Sequence, residues 1–214
     1  MRERLQVQLE GVPETLLWTL YHRAVEARRP DAVLRDPKGV ELVGRLDYPF
    51  EERFGRGRLG QWQALRVQCF DREIRRYLIE HPGATVVALG EGLETQFWRV
   101  DDGRVRWVGV DVPQTVELRV RLLPDAPRRR SVAGSALDLR WMDQVEGPGP
   151  VLVTAQGLLM YFELPDARRL ISACAERFAG GALLFDAMPK WLSAASRRAA
   201  LRGGGGYRPP PWRF

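Results

Sequence analysis

A chain of 214 residues, 45% hydrophobic and 28% charged, has the composition of an ordinary globular domain. That excludes wholesale disorder and removes the need for a metal or disulfide staple. The net charge is +6, from 33 basic and 27 acidic residues, and every basic residue except Lys38 and Lys190 is arginine. The arginines are scattered. Their densest run, Arg128-Arg129-Arg130, has no interleaved aromatic residue, so it reads as a solvated loop or strand entrance and not as a nucleic-acid surface. Met1-Arg2-Glu3-Arg4 opens without the apolar run of a secretory signal. The longest charge-free stretch, Gly147 to Phe162, is broken by Pro148 and Pro150 and is too short to span a bilayer. Cys69 and Cys174 both lie in helical-looking sequence and read as reduced core thiols. The expectation is a cytoplasmic protein with neither a membrane nor a nucleic-acid partner.

In chain order, a first helix is predicted over Pro13 to Arg28, where Leu16, Leu17, Leu20, Tyr21, Ala24 and Val25 recur at helical spacing. Pro13 suits its first turn and Pro30 stops it. A shorter helix is predicted over Lys38 to Leu46, after Asp36-Pro37, and Gly55 to Gly60 reads as a loop. Trp62, Leu65, Cys69, Phe70, Ile74, Tyr77 and Leu78 then form the stripe of a long amphipathic helix, closed by His81-Pro82-Gly83. From Ala84 the period changes. Short apolar runs at Ala84 to Leu89, Val105 to Val110, Ser131 to Ala133, Val151 to Ala155 and Ala182 to Phe185 read as strands covered on both faces. Helical segments alternate with them, clearest at Pro113 to Leu123 and at Pro165 to Phe178, the latter stopped by Gly180-Gly181. This pattern predicts an α/β fold, with a Rossmann-like, doubly wound parallel sheet in residues 84–214 and an N-terminal helical cap in residues 1–83.

In such a sheet, ligands bind beyond the carboxyl ends of the strands. The residues there are Gly90-Glu91-Gly92-Leu93-Glu94-Thr95, Asp111, Asp138-Leu139 and Gln156-Gly157. Glycines followed by acidic or amide groups make a nucleoside-binding layout. A dinucleotide fold wants a third glycine where this chain has Thr95. Glu91 and Glu94 would also repel a pyrophosphate and favour a cationic sulfonium, so the turn points to S-adenosylmethionine ahead of a nicotinamide cofactor. Asp111 lies about 20 residues past the glycines, where a carboxylate accepts both ribose hydroxyls. Two histidines and two distant cysteines give no zinc-ligand spacing, and neither a nucleophile elbow nor a phosphate loop is present. His22 reads as a packed or surface histidine and not as a base.

Over most of its length the sequence resembles the leucine carboxyl methyltransferase family, in the branch that resembles tetracenomycin-type polyketide O-methyltransferases. The matching segments are Glu14-Thr15-Leu16-Leu17 with Arg23-Ala24, Asp36-Pro37, Arg66 followed by Asp71, and Val86 to Arg99. Val110 to Pro113, Ala136 to Leu139, Val153 to Phe162 and Phe185-Asp186 continue the series in order. The resemblance implies an S-adenosylmethionine-dependent O-methyltransferase acting on a carboxyl or hydroxyl group of a small, polyketide-like molecule. It assigns Arg66 to the donor's carboxylate, Gly90 and Gly92 to the turn beneath it, and Asp111 to the ribose. It sets Asp138 and Leu139 about the adenine, Gln156 at the amino group and Tyr161 at the wall of the acceptor pocket. Gln156 stands where many members have glutamate, and Glu94 where aspartate is usual.

A carboxylate acceptor needs no general base, whereas a phenol would be helped by one, and no catalytic residue is assigned. The family normally continues with further strands. A chain ending at Phe214 would leave Ala182 to Phe185 as an exposed edge open to self-association. The rival readings are a non-catalytic remnant that still binds the donor and a nicotinamide-dependent oxidoreductase.

Overall fold

A computed structural model of the protein describes residues 4–7, 9, 13–57, 59–147, 149–189, 191, 193 and 194. These fall into two compact bodies. One holds the described residues of Met1–Glu73 with Leu93–Val100; the other holds those of Ile74–Gly92 with Asp101–Gly203.

The first body is mainly helical. It comprises β1 (Leu5–Gln6), α1 (Thr15–Ala27), α2 (Pro37–Arg45), β2 (Leu46–Asp47), α3 (Phe50–Phe54), the start of α4 (Gly60–Glu80) and α5 (Gln96–Val100). The apolar stripe of α1 is buried as its spacing requires, but His22, Arg23 and Glu26 are buried with it. A helix covered on so many sides must find partners for its charges. His22 Nδ1 donates to the Trp18 carbonyl at 2.8 Å, so this histidine is packed, and burial holds its pKa below the usual value. The chain enters α2 through Asp36, whose side chain accepts from the Gly39 amide at 2.9 Å, with Pro37 in the first turn. Tyr21 stacks on Phe50 at 5.3 Å between ring centres and donates to the Gly55 carbonyl, which anchors the chain just after α3; Gly60, read as loop, opens α4. Cys69 is exposed, which corrects its reading as a core thiol. It lies in the apolar stripe by spacing alone; Cys174 is the one that is buried.

The second body carries a parallel sheet. Its strands are β3 (Thr85–Leu89), β4 (Arg106–Asp111), β5 (Arg129–Ala133), β6 (Val151–Ala155) and β7 (Ala182–Phe185), and its helices include α6 (Pro113–Leu122) and α7 (Leu164–Arg177). The strand order is β5-β4-β3-β6-β7, every pairing parallel. The chain therefore runs outward from β3 through β4 to β5, then returns to lay β6 on the other side of β3. That reversal makes β3 the central strand, and all five of its residues are buried. The core joins Val87, Leu89, Val108, Val110 and Val153 to Trp141, Leu159, Leu170 and Cys174. This is the doubly wound α/β architecture that the alternating runs predict.

Some elements depart from expectation. β5 starts at Arg129, two residues before Ser131, where it pairs with Trp107 of β4, and the Arg129 guanidinium is buried on the carbonyls of Leu123 and Pro124. Arg128 pairs with Asp101 at 2.6 Å. The arginine run is thus a strand entrance with its middle member inside the fold. β7 pairs with β6 alone among the described strands, and its Ala182 and Phe185 are exposed. Most of the segment after it, on which the expectation of missing strands rests, lies outside the described residues. No described helix is long and apolar enough to cross a membrane.

Candidate functional site

Four neighbouring strands of the second body end at one edge of the sheet, and that edge collects most of the residues singled out above. After β3 the chain turns through Gly90 and Gly92, at φ +63° and +54°. Both values lie in the left-handed region that favours glycine. A Cβ on Gly90 would also stand 2.9 Å from Leu158 Cδ1, so a side chain here would be strained by its backbone conformation and would have to push the end of Leu158 aside. The Gly90 amide donates to the Val110 carbonyl at 2.8 Å, which seats the turn on the end of β4.

Asp111 closes β4. Its Oδ2 accepts from the Gly92 amide and its Oδ1 from the Val112 amide, each at 2.7 Å. Burial pushes its carboxyl up; the two amides, the Arg119 guanidinium and the Thr115 hydroxyl pull the other way, and the net pKa remains raised. A raised carboxylate held rigidly at a strand end, in contact with a glycine turn, is a group fitted to receive hydroxyl donors. At the end of β6, Gln156 has its side-chain oxygen buried with no hydrogen-bond partner among the described residues. A buried acceptor left open in this way costs about 1–3 kcal/mol, a penalty that a donor from a bound ligand would remove. The neighbouring Gly157 amide donates to Asp186 at 2.6 Å, which fixes the backbone there.

The two glutamates of the turn do something other than the sequence suggests. Glu91 is buried, with its Oε1 accepting from Arg119 Nη2 at 2.6 Å and from Trp107 Nε1 at 2.8 Å. Glu94 pairs with Arg23 at 2.9 Å and Arg99 at 2.8 Å inside the first body. Their charges are therefore compensated internally, and the argument that they repel a pyrophosphate or attract a sulfonium falls away. The fourth participant in the Glu91 cluster is a space. A Cβ on Gly109 would lie 1.8 Å from Glu91 Oε2. The substitution Gly109→Ala displaces the Glu91 carboxylate and disturbs its buried pair with Arg119. It is expected to lower stability by about 3 kcal/mol in urea unfolding; an unchanged midpoint would show that Glu91 has somewhere else to go.

The remaining candidates are placed as follows. Asp138 follows β5 and accepts from the Arg140 amide, pairing also with the Arg140 guanidinium. It thus caps the short helical turn Leu139–Gln144. Leu139 is half-buried beside the core, and Tyr161 ends the turn Leu159–Tyr161. All of these belong to the second body. Arg66 belongs to the first, where its guanidinium lies over the Trp62 ring at 5.5 Å. Among the described residues, no three potential ligating side chains gather to hold a metal ion. Sequence reasoning missed Arg119 and Trp107, although a charged residue amid the apolar face of α6 was the available signal.

The model of the family described as leucine carboxyl methyltransferase matches residues 17–175. The chain is 35% identical over 91% of its length to the tetracenomycin polyketide synthesis O-methyltransferase TcmP of Streptomyces glaucescens, spanning 73% of that protein. It is 28% identical over 85% of its length to the S-adenosyl-L-methionine-dependent methyltransferase dpfgK of Gibberella zeae, spanning 68% of it. A more distant likeness, at 15% identity and a TM-score of 0.47, covers 89% of this chain and 79% of N-methyltransferase NodS from Bradyrhizobium japonicum, solved with S-adenosyl-L-homocysteine. The extent of the family match and the identity to the Streptomyces protein lead to one conclusion: the chain belongs to the leucine carboxyl methyltransferase family and is an S-adenosylmethionine-dependent methyltransferase of that family.

Proposed function

We propose that the chain methylates an oxygen, carboxyl or hydroxyl, of a small polyketide-like acceptor. The observation that carries this reading is the joint presentation, at one sheet edge, of Asp111 bonded to the Gly92 amide and the open, buried oxygen of Gln156. The likeness to an enzyme named for polyketide O-methylation supports the acceptor class.

When bound, S-adenosylmethionine supplies a methyl carbon made electrophilic by its sulfonium. The protein's part is to hold and align. Asp111 accepts the ribose hydroxyls with the lone pairs that Gly92 and Val112 leave free. Gln156 accepts from the amino group. Gly90 and Gly92 let the backbone approach without a side chain between. Leu139 covers one face of the adenine and Asp138 takes its amine. The Asp138–Arg140 pair is exposed and so is worth little, and giving it up for the adenine costs little. Tyr161 forms part of the acceptor wall. Alignment and exclusion of water supply the catalysis, in-line displacement needing no proton transfer when the acceptor is already an anion.

The test is transfer of labelled methyl groups to a panel of aromatic acids, phenols, amines and thiols. Base-labile label identifies a carboxyl ester, and base-stable label a phenolic ether. Label on nitrogen or sulfur acceptors alone would contradict the proposal. Donor binding with no transfer to any acceptor would favour the non-catalytic reading.

A further inference from the structure

We propose that Arg119, acting with Glu91 and Trp107, is a positioning residue for donor binding: it clamps the glycine turn from beneath and so holds Asp111 in its ribose-accepting orientation. The inference rests on the reading of Asp111 as the ribose carboxylate, and it concerns residues outside the set that would touch the donor.

The geometry is specific. Gly92 has both of its peptide groups anchored. Its amide donates to Asp111 Oδ2 at 2.7 Å, and its carbonyl accepts from Arg119 Nη1 at 2.8 Å. The other terminal nitrogen of the same guanidinium donates to Glu91 Oε1 at 2.6 Å, an oxygen that Trp107 Nε1 also holds. One side chain of α6 thus bonds two residues of the turn at once through two nitrogens fixed in one plane, a spacing that the single nitrogen of an ammonium does not offer. The pair is deeply buried, with the Arg119 and Glu91 side chains 1% and 2% exposed. The missing Cβ of Gly109 makes the room it occupies.

Stability alone does not account for such a device. Replacing a buried ion pair with apolar side chains of similar volume is often neutral or stabilising. What the pair provides is a fixed conformation for a glycine, the residue with most freedom to lose. Gly92 is also the residue whose amide orients Asp111. The groups facing that carboxylate are the Gly92 and Val112 amides, the Thr115 hydroxyl and the Arg119 guanidinium. Behind Arg119 lie Glu91 and the buried Arg129. Loss of the clamp therefore frees the Gly92 carbonyl, loosens the turn that presents the Gly92 amide to Asp111, and removes a cation from that carboxylate.

The test uses the double variant Glu91→Gln/Arg119→Met, which discards both charges while keeping an acceptor for Trp107 and the approximate volume. In the ligand-free protein, hydrogen exchange at the Gly92 amide is expected to quicken at least tenfold, with the Val87 amide in β3 unchanged. Affinity for S-adenosylhomocysteine is expected to fall at least tenfold, and the pH at which binding is lost on acidification to move upward. Arg119→Lys, which keeps the charge without the fork, should fall between; it carries the test if the double variant does not fold. A folded variant with normal Gly92 protection and normal affinity overturns the proposal. Failure of the unaltered protein to bind S-adenosylhomocysteine, with Gly92 still protected through Arg119, overturns the donor role and the reading of Asp111 beneath it. Loss of Gly92 protection with normal affinity overturns the positioning claim alone.

Discussion

The substitution Asp111→Asn is expected to weaken S-adenosylhomocysteine binding at least a hundredfold, about 2.7 kcal/mol, in a protein that remains folded. Two effects combine. The carboxylate accepts from the Gly92 and Val112 amides through its two oxygens. An amide side chain has one acceptor oxygen, so its NH₂ group must face one of those N–H groups. The oxygen that remains cannot serve the backbone and two ribose hydroxyls as a carboxylate does. Titration calorimetry on the variant checks the result, and affinity within threefold of the unaltered protein would remove Asp111 from the site.

The same residue sets a pH dependence. Burial holds its carboxyl above the usual aspartate value, and the ionised form is the one that accepts both hydroxyls. Donor affinity should therefore fall on acidification at a higher pH than the value of about 4 for an ordinary aspartate. For stability the sign is opposite to that of a salt-bridged carboxylate. The folded state binds this proton more tightly than the unfolded chain, so the contribution of Asp111 declines as pH rises from its unfolded to its folded pKa. Keeping it ionised at neutral pH costs stability, which is consistent with a residue retained for binding.

Arg99→Met is expected to be the most destabilising single change in the first body, at about 3–5 kcal/mol. Arg99 donates to Asp71 at 2.7 Å, to Glu94 at 2.8 Å and to the Thr95 hydroxyl at 2.7 Å, with Asp36 at 3.4 Å. Arg23 pairs with Asp36 and Glu94 from the other side. Three carboxylates thus share two guanidinium groups in a buried site, and removing one leaves acidic groups uncompensated. Burial alone would lower the Arg99 pKa, but Glu94, Asp71 and Asp36 outweigh it and raise it. For Asp36 and Glu94, burial pushes up and the two arginines pull further down, so both end below the usual carboxylate range. Their contribution to stability is full above the unfolded value of about 4 and is lost as pH falls through the lower folded values. Urea unfolding at pH 7 and pH 3 measures this. A loss at pH 7 under about 1 kcal/mol in the variant would mean that the network relaxes around the gap.

The fold was legible where chemistry repeats at a fixed period. Five apolar runs gave five parallel strands, and the stripe from Trp62 to Leu78 gave α4, because burial on two faces or one leaves a pattern in neighbouring residues. Segments of five residues, such as α3 and α5, are too short to show a period and were missed. The buried charges were misread for a related reason. Glu91 and Glu94 look like free anions in a loop, since their partners Arg119, Arg23 and Arg99 are brought in by tertiary packing that no local spacing reports. The same blindness made Arg129 look solvated and Cys69 look buried. The sheet edge was legible because a strand's end and the residue after it are adjacent in both sequence and space.

The central claim is that the carboxyl edge of the sheet binds S-adenosylmethionine through Asp111 and Gln156. The most direct test is calorimetric titration of the protein with S-adenosylhomocysteine, and with NAD in parallel. Micromolar binding of S-adenosylhomocysteine at one site per chain, with none of NAD, is the expected result. A folded chain that binds neither, or that prefers NAD, would contradict the account.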